Sequence, residues 1–192
     1  MIDGNPRRIH ITGGPGAGKS WLAQRLSQRL SLPYIDTDGI SLDLQKDLPK
    51  PLDFDELMRR RLPVSTQLAA AETWVSDGSN LTASLPFYDR AEVIVYVACS
   101  WPVAAYRIVA RHARLSLAGR NRFPGLRRLY TFWRWSGRYY ANRNPHGVNG
   151  FGTPETIAYH EAALEPYTDK LVVCRTKAEV GAAELRLTGG DD

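Results

Sequence analysis

Four glycines fall within six residues of the stretch "IHITGGPGAGKSWLAQRL", residues 9–26. Fixing a glycine gives up more backbone freedom than fixing any other residue. Such a concentration points to a place where the backbone itself meets a ligand closely. Gly13, Gly18, Lys19 and Ser20 fit the spacing G-x-x-x-x-G-K-[ST]. The preceding "RIHIT" (8–12) reads as a short strand, and "KSWLAQRLSQRL" (19–30) sets Trp21, Leu22, Leu26 and Leu30 at helical spacing. A strand, a glycine loop and a helix in that order turn successive N–H groups inward on phosphate oxygens, and the helix adds the positive end of its dipole. Side chains at Gly14, Gly16 or Gly18 would crowd that nest. The predicted phosphate-binding set is Gly13, Gly14, Pro15, Gly16, Ala17, Gly18, Lys19 and Ser20, with Trp21 in the first helical turn. Lys19 would reach the β- and γ-phosphates of ATP, and the Ser20 hydroxyl would bind Mg²⁺.

The rest of the chain alternates strands with helices. "YIDTD" (34–38) gives a short second strand, "ETWVSDGSN" (72–80) a third stopped by Asp-Gly, "AEVIVYVAC" (91–99) a fourth and "KLVVCRT" (170–176) a fifth. Residues 39–52 read as a proline-bearing loop. Asp53 and Glu56 suggest a capping box for a helix over "FDELMRRR", with a further helix near 65–72. Pro102 opens a helix continued by "AAYRIVARHARL", Pro154 starts another over 154–167, and "KAEVGAAELRL" closes the chain. Residues 116–150 show no simple period. Short connections between alternating elements predict an α/β fold with a parallel five-stranded sheet flanked by helices and a ligand at the carboxyl ends of the strands. The 192 residues suit a single domain with a lid-like insertion about 112–152. The net charge of +5 favours anionic partners. Cys99 and Cys174 lie in or beside strand-like runs and read as buried free thiols. No apolar leader precedes the glycine loop, and no apolar run spans a bilayer, so a cytoplasmic protein with no membrane partner is expected.

Donor binding leaves the acceptor open, and three aspartates bear on it. Asp36 and Asp38 end the second strand, and Asp77 ends the third. Strand ends in a parallel sheet lie beside the glycine loop. One carboxylate there can hold Mg²⁺ and another can orient or deprotonate an acceptor hydroxyl. Aspartates at strand ends also serve as turn and cap residues. The fourth strand ends in Ala98 and Cys99, with no acid. The metal candidates are therefore Ser20, Asp36 and Asp77.

Together, "IHITGGPGAGKSWLAQRL", "YIDTD", "WVSDGSN" and "YRIVARHAR" resemble the adenylate-kinase-like P-loop kinases. The arrangement is most similar to the bacterial DNA topology modulation (FlaR-related) kinases. The resemblance implies a P-loop NTPase fold of nucleoside-monophosphate-kinase type with an arginine-rich lid, and ATP and Mg²⁺ as cofactors. "YRIVARH" is similar to the segment that begins the adenylate-kinase lid, which makes Arg107 a candidate for stacking on adenine and Arg111 for contacting phosphate. Asp77 matches that family's Asp-Gly aspartate near Mg²⁺. Ser79 and Asn80 replace the Pro-Arg that follows it there and grips an acceptor phosphate. The D-x-D at 36–38 resembles kinases of small hydroxylated molecules such as shikimate kinase, which implies Asp38 as the residue facing the acceptor hydroxyl.

The segment "GRNRFPGLRRLYTFWRWSGRYYANRNPHG" (119–147) is rich in arginines and aromatic rings. It reads as a kinase lid with an aromatic acceptor pocket, as a cover for the sheet edge, or as a nucleic-acid surface. Arg111, Arg120 and Arg122 are the candidates for neutralising the transferring phosphoryl group. His112, His146 and His160 are scattered without metal spacing and read as surface or capping residues; His10 reads as core-edge. Two functions follow. The first is transfer of the γ-phosphate of ATP to a small molecule: a hydroxyl-bearing metabolite, a nucleoside or nucleotide, or an antibiotic. It would use Lys19, Asp38 and the arginines. The second is nucleotide-gated binding of nucleic acid through 119–147.

Overall fold

β1 (Arg8–Gly13) lies at the centre of the sheet, and the other elements are arranged around it. In the computed structural model, which describes residues 6–146 and 156–190, it pairs in parallel with β3 (Trp74–Gly78) on one side and β4 (Val93–Val97) on the other. β2 (Tyr34–Asp36) and β5 (Leu171–Cys174) close the edges, giving the order β2-β3-β1-β4-β5 with all neighbours parallel. β3 and β4 are buried throughout, which explains the unbroken apolar run "VIVYV". Side chains alternate across β1. Ile9 and Ile11 join the core cluster that holds Leu22, Ala23 and Leu26 of α1 (Lys19–Leu30) and Ala183 and Leu187 of α8 (Lys177–Leu187). His10 and Thr12 point to the other face. There Trp74, Phe87, Tyr88, Ile94 and Leu164 form the second core, under α4 (Leu81–Arg90) and α7 (Ile157–Leu164).

Three elements differ from the sequence expectation. Residues 37–38 do not extend the second strand and 39–43 are not loop: α2 (Thr37–Asp43) starts directly at the end of β2, with Asp36 as its cap. The two helices expected either side of Pro63 are one, α3 (Phe54–Ala69). Proline removes one helical hydrogen bond there. The helix continues because both halves are anchored: Arg61 is buried before the proline, Ser65 and Ala69 after it. The segment read as aperiodic contains α6 (Leu126–Ala141), which follows α5 (Trp101–Leu117). Its buried residues Ser136, Tyr139 and Tyr140 gather at the C-terminal end. Exposed rings at Tyr130 and Trp133 on the same helix mask the period. Thr156 caps α7, whose first helical residue is Ile157; the expected start at Pro154 lies outside the described residues. Cys99 and Cys174 are buried free thiols. Among the described residues no helix is long and apolar enough to cross a membrane.

Candidate active site

The glycine loop leaves the carboxyl end of β1 and is clamped from two sides. Gly16 has φ +77, and a Cβ there would lie 2.7 Å from the Ala104 carbonyl oxygen and 3.0 Å from Ile108 Cγ1, because α5 packs against the loop. Gly14 meets α6: a Cβ would lie 2.5 Å from the Tyr139 ring and 2.6 Å from the Tyr140 hydroxyl. Tyr140 Oη donates to the Pro15 carbonyl at 2.9 Å, and Arg107 Nη1 donates to the Ala17 carbonyl at 2.6 Å. Lys19 is buried, with Nζ donating to the Gly14 carbonyl at 3.2 Å; the Ala17 N–H donates to the same oxygen. Gly13 continues the β1–β4 ladder opposite Val97, and Gly18 caps α1 in the left-handed region without a side-chain bond. The first N–H groups of α1 have no partners within the helix and are available to an anion. The Trp21 ring is 57% exposed, with the Arg25 guanidinium over it. Trp21 lies in the first turn of α1, after the loop.

Asp77 is the carboxylate that the sheet delivers to this loop. It sits on β3 in register with Ile11, one strand from the P-loop. Its Oδ2 accepts from Ser20 Oγ at 2.7 Å and its Oδ1 from Tyr34 Oη at 2.6 Å. Burial raises its pKa, opposed by the Tyr34 hydrogen bond, the Lys19 charge and the Ser20 hydroxyl. The same surroundings push the Tyr34 phenol up, by burial first and then by the Asp77 charge. Ser20 and Asp77 thus present two hard oxygen donors side by side. Among the described residues no three His, Cys, Asp or Glu side chains cluster as a metal cage. A cation here would complete its shell from water and phosphate oxygens, as Mg²⁺ does.

The other two aspartates separate. Asp36 faces Asp77 in the ladder, but its Oδ1 accepts the Gly39 N–H at 2.9 Å, which makes it the cap of α2. Asp38, exposed in the first turn of α2, accepts the Ser79 N–H at 3.1 Å and the Ser79 hydroxyl at 3.3 Å. Ser79 follows the strand that carries Asp77, and the charge of Asp38 raises the Asp77 pKa further. α2 itself is pinned by Arg61, which donates to the Thr37 carbonyl at 2.6 Å and the Ser41 hydroxyl at 2.8 Å.

Behind the loop runs a buried polar chain. Tyr139 Oη lies 2.6 Å from His160 Nδ1, His160 Nε2 lies 2.7 Å from Thr12 Oγ1, and Thr12 Oγ1 lies 2.6 Å from Tyr88 Oη and 3.2 Å from the Gly78 carbonyl. One proton assignment satisfies these contacts. Tyr139 donates to Nδ1, the neutral ring donates from Nε2 to Thr12, Tyr88 donates to Thr12, and Thr12 donates to Gly78. His160 is therefore a core residue, not the surface or capping histidine expected. His10 is likewise fully buried, 2.8 Å from Ser76 Oγ. Burial first, and then the Lys19 charge, hold both imidazoles down to about 3.

Arg111, Arg120 and Arg122 come together, though not on the loop. With Arg127 and Arg128 they line a cavity of about 790 Å³ between α5, α6 and Leu42 of α2. His112 lines it as well.

No protein-family model matches the chain. A bifunctional pantoate ligase/cytidylate kinase from Gloeobacter violaceus is 33% identical over 125 residues, 58% of this chain and 23% of that protein. A cytidylate kinase from Sulfurisphaera tokodaii is 32% identical over 114 residues, 54% of this chain and 61% of that one. The chain thus spans less than two thirds of the length of either relative. Among solved structures, a shikimate kinase from Acinetobacter baumannii in complex with shikimate matches with a TM-score of 0.55 at 12% identity, over 94% of this chain and 90% of that one. A gluconokinase from Sinorhizobium meliloti matches with a TM-score of 0.51 at 18% identity, over 96% and 95%. The fold is the α/β P-loop NTPase fold of such kinases. The likeness to kinases does not single out the DNA topology modulation branch.

Sequence reasoning missed Tyr34, Thr12, Tyr139, Tyr140 and Arg61. Tyr34 had a signal, since it precedes Asp36 by two residues and so shares its strand face. The others had none. Their partners lie 20 to 148 residues away along the chain.

Proposed function

We propose that this chain is an ATP-dependent phosphotransferase that moves the γ-phosphate of ATP to the hydroxyl of a small-molecule acceptor. The observation that carries the reading is the pairing of Ser20 with Asp77 at 2.7 Å, at the end of a glycine loop that also holds a buried lysine. Loop N–H groups and Lys19 bind the β- and γ-phosphates. Ser20 and Asp77 would hold Mg²⁺, which when bound neutralises phosphate charge. Asp36 is the weaker candidate, because its carboxylate is engaged in capping. Asp38 accepts the proton of the acceptor hydroxyl as its oxygen bonds to the γ-phosphorus and the bond to the β-phosphate oxygen breaks, releasing ADP. Arg107, held on the Ala17 carbonyl beside Gly18, would meet the nucleotide. The α5–α6 segment is the lid, with Arg111, Arg120 and Arg122 closing on the transferring charge. Weighing against the nucleic-acid reading, Tyr139 and Tyr140 are buried beside the loop rather than offered to bases.

Kinetics of Asp38→Asn test the assignment. Turnover should fall on the order of 10²–10⁴-fold while ATP affinity holds. A parallel loss of ATP affinity would move Asp38 to the nucleotide or metal.

A further inference from the structure

Among the described residues, the fold brings five arginines to one hollow with no carboxylate in its wall. Arg111, Arg120, Arg122, Arg127 and Arg128 line the cavity of about 790 Å³, and among the described residues no Asp or Glu lines it. Among the described residues none of these guanidiniums makes a salt bridge. Like charges gathered this way repel one another, and packing alone gives no reason for it. At Arg111 burial and the neighbouring Arg114 charge push the pKa down from its ordinary value. An anion in the hollow would relieve both effects.

Between the arginines the wall is carbon: Leu115, Phe123, Leu129 and Phe132. That combination suits a ring with charged groups around it, and the volume falls in the range of small-molecule sites. Two of the helices that line the cavity also carry residues of the candidate site. Ile108 lines it and packs against Gly16. Arg107, on the loop carbonyl, and Arg111, in the cavity, are one turn apart on α5. On α2, Leu42 lines the cavity and Asp38 lies one turn before it on the same face.

The geometry points to this cavity as the acceptor site, taking a ring-bearing organic polyanion with at least two negative charges set away from the hydroxyl that receives the phosphate, met by Arg127 and Arg128, while Arg111, Arg120 and Arg122 face the transferring group. The assignment rests on the phosphotransferase reading and excludes neutral alcohols and simple nucleosides as preferred acceptors.

The test has two arms. In the first, the fluorescent trianion 8-hydroxypyrene-1,3,6-trisulfonate is titrated into the whole chain. Expected is one-to-one binding that weakens with salt, is unchanged in Lys19→Ala, and falls by about 10-fold or more in Arg127→Gln/Arg128→Gln. Both arginines are exposed, so that double variant should keep the wild-type melting curve. Absence of saturable binding, equal loss in Lys19→Ala, or unchanged affinity in the double variant overturns the proposal. So does displacement by a single-stranded oligonucleotide at far lower concentration, which would make the surface one for nucleic acid. The second arm offers labelled ATP with matched pairs: nucleosides and their 5′-monophosphates, sugars and their phosphates. Transfer should favour the charged member of a pair. Transfer to the neutral members alone overturns the acceptor class and leaves the phosphotransferase standing. Trisulfonate binding with no transfer to any acceptor sinks the phosphotransferase and leaves an anion site.

Discussion

Mild acid should loosen this protein before its carboxylates titrate, and the cause lies beneath the phosphate loop. His160 is fully buried between Tyr139 and Thr12, with its pKa held down to about 3 by burial and by the Lys19 charge. In the unfolded chain an imidazole takes up its proton near pH 6.5. As pH falls below that value the unfolded state gains protons that the folded state refuses, so stability declines steadily until about pH 3. Between pH 6.5 and pH 5 the loss is about 2 kcal/mol, from about 1.4 kcal/mol per pH unit. His10, also held to about 3, adds a similar amount. Together that is on the order of 4 kcal/mol, a large share of the roughly 5–15 kcal/mol that stabilises an ordinary domain. Protonation would also break the proton order of the chain, since both ring nitrogens would then donate and Tyr139 would have to turn its hydroxyl. The assay is urea unfolding at pH 7 and pH 5 for wild type and His160→Gln. The variant should lose about 2 kcal/mol less than wild type between the two conditions. Asp77, whose pKa is raised, works in the opposite direction and cancels in this difference. Identical pH dependence in both proteins would refute the reasoning, as would an NMR titration in which the His160 ring protonates between pH 7 and pH 5 in the folded protein.

Two further outcomes follow from the site. Because burial raises the Asp77 pKa, the ionised side chain is penalised in the fold, and that penalty grows as pH rises through its folded pKa. Asp77→Asn should therefore melt higher than wild type at pH 7 yet lose phosphotransfer by on the order of 10²-fold or more; a lower melting temperature would contradict the electrostatics. Gly14→Ala would drive a Cβ into the rings of Tyr139 and Tyr140. It should destabilise by about 1–3 kcal/mol and weaken ATP binding; unchanged melting and binding would mean that α6 does not rest on the loop.

What the sequence made legible was local. The P-loop spacing is contiguous, and β4 identified itself by "VIVYV" because burial on both faces removes polar residues. Asp77 was legible as a strand-end acid, but its choice of Ser20 and Tyr34 as partners depends on strand order: β3 sits beside β1, and β2 beside β3. Asp36 and Asp38 carried the same strand-end signal in their residues, and only the resemblance of D-x-D to kinases of small hydroxylated molecules told them apart. In the fold they separate because α2 begins at once, so that one caps it and the other, in its first turn, accepts the Ser79 N–H. α6 was hidden because its rings do two jobs, packing at one end and lining the exposed surface at the other. The polar chain from Tyr139 to Tyr88 joins four elements far apart in sequence, and no local pattern announces it.

The central claim is group transfer from ATP, and the most direct measurement follows the label. Wild-type protein is incubated with Mg²⁺ and ATP labelled at the γ-phosphate, with and without ring-bearing anionic alcohols, and the label is partitioned between organic product and orthophosphate. The account predicts label in an organic phosphate, in excess of orthophosphate, for at least one acceptor, and its loss in Lys19→Ala. Label appearing only as orthophosphate, at a rate indifferent to every acceptor, would contradict it.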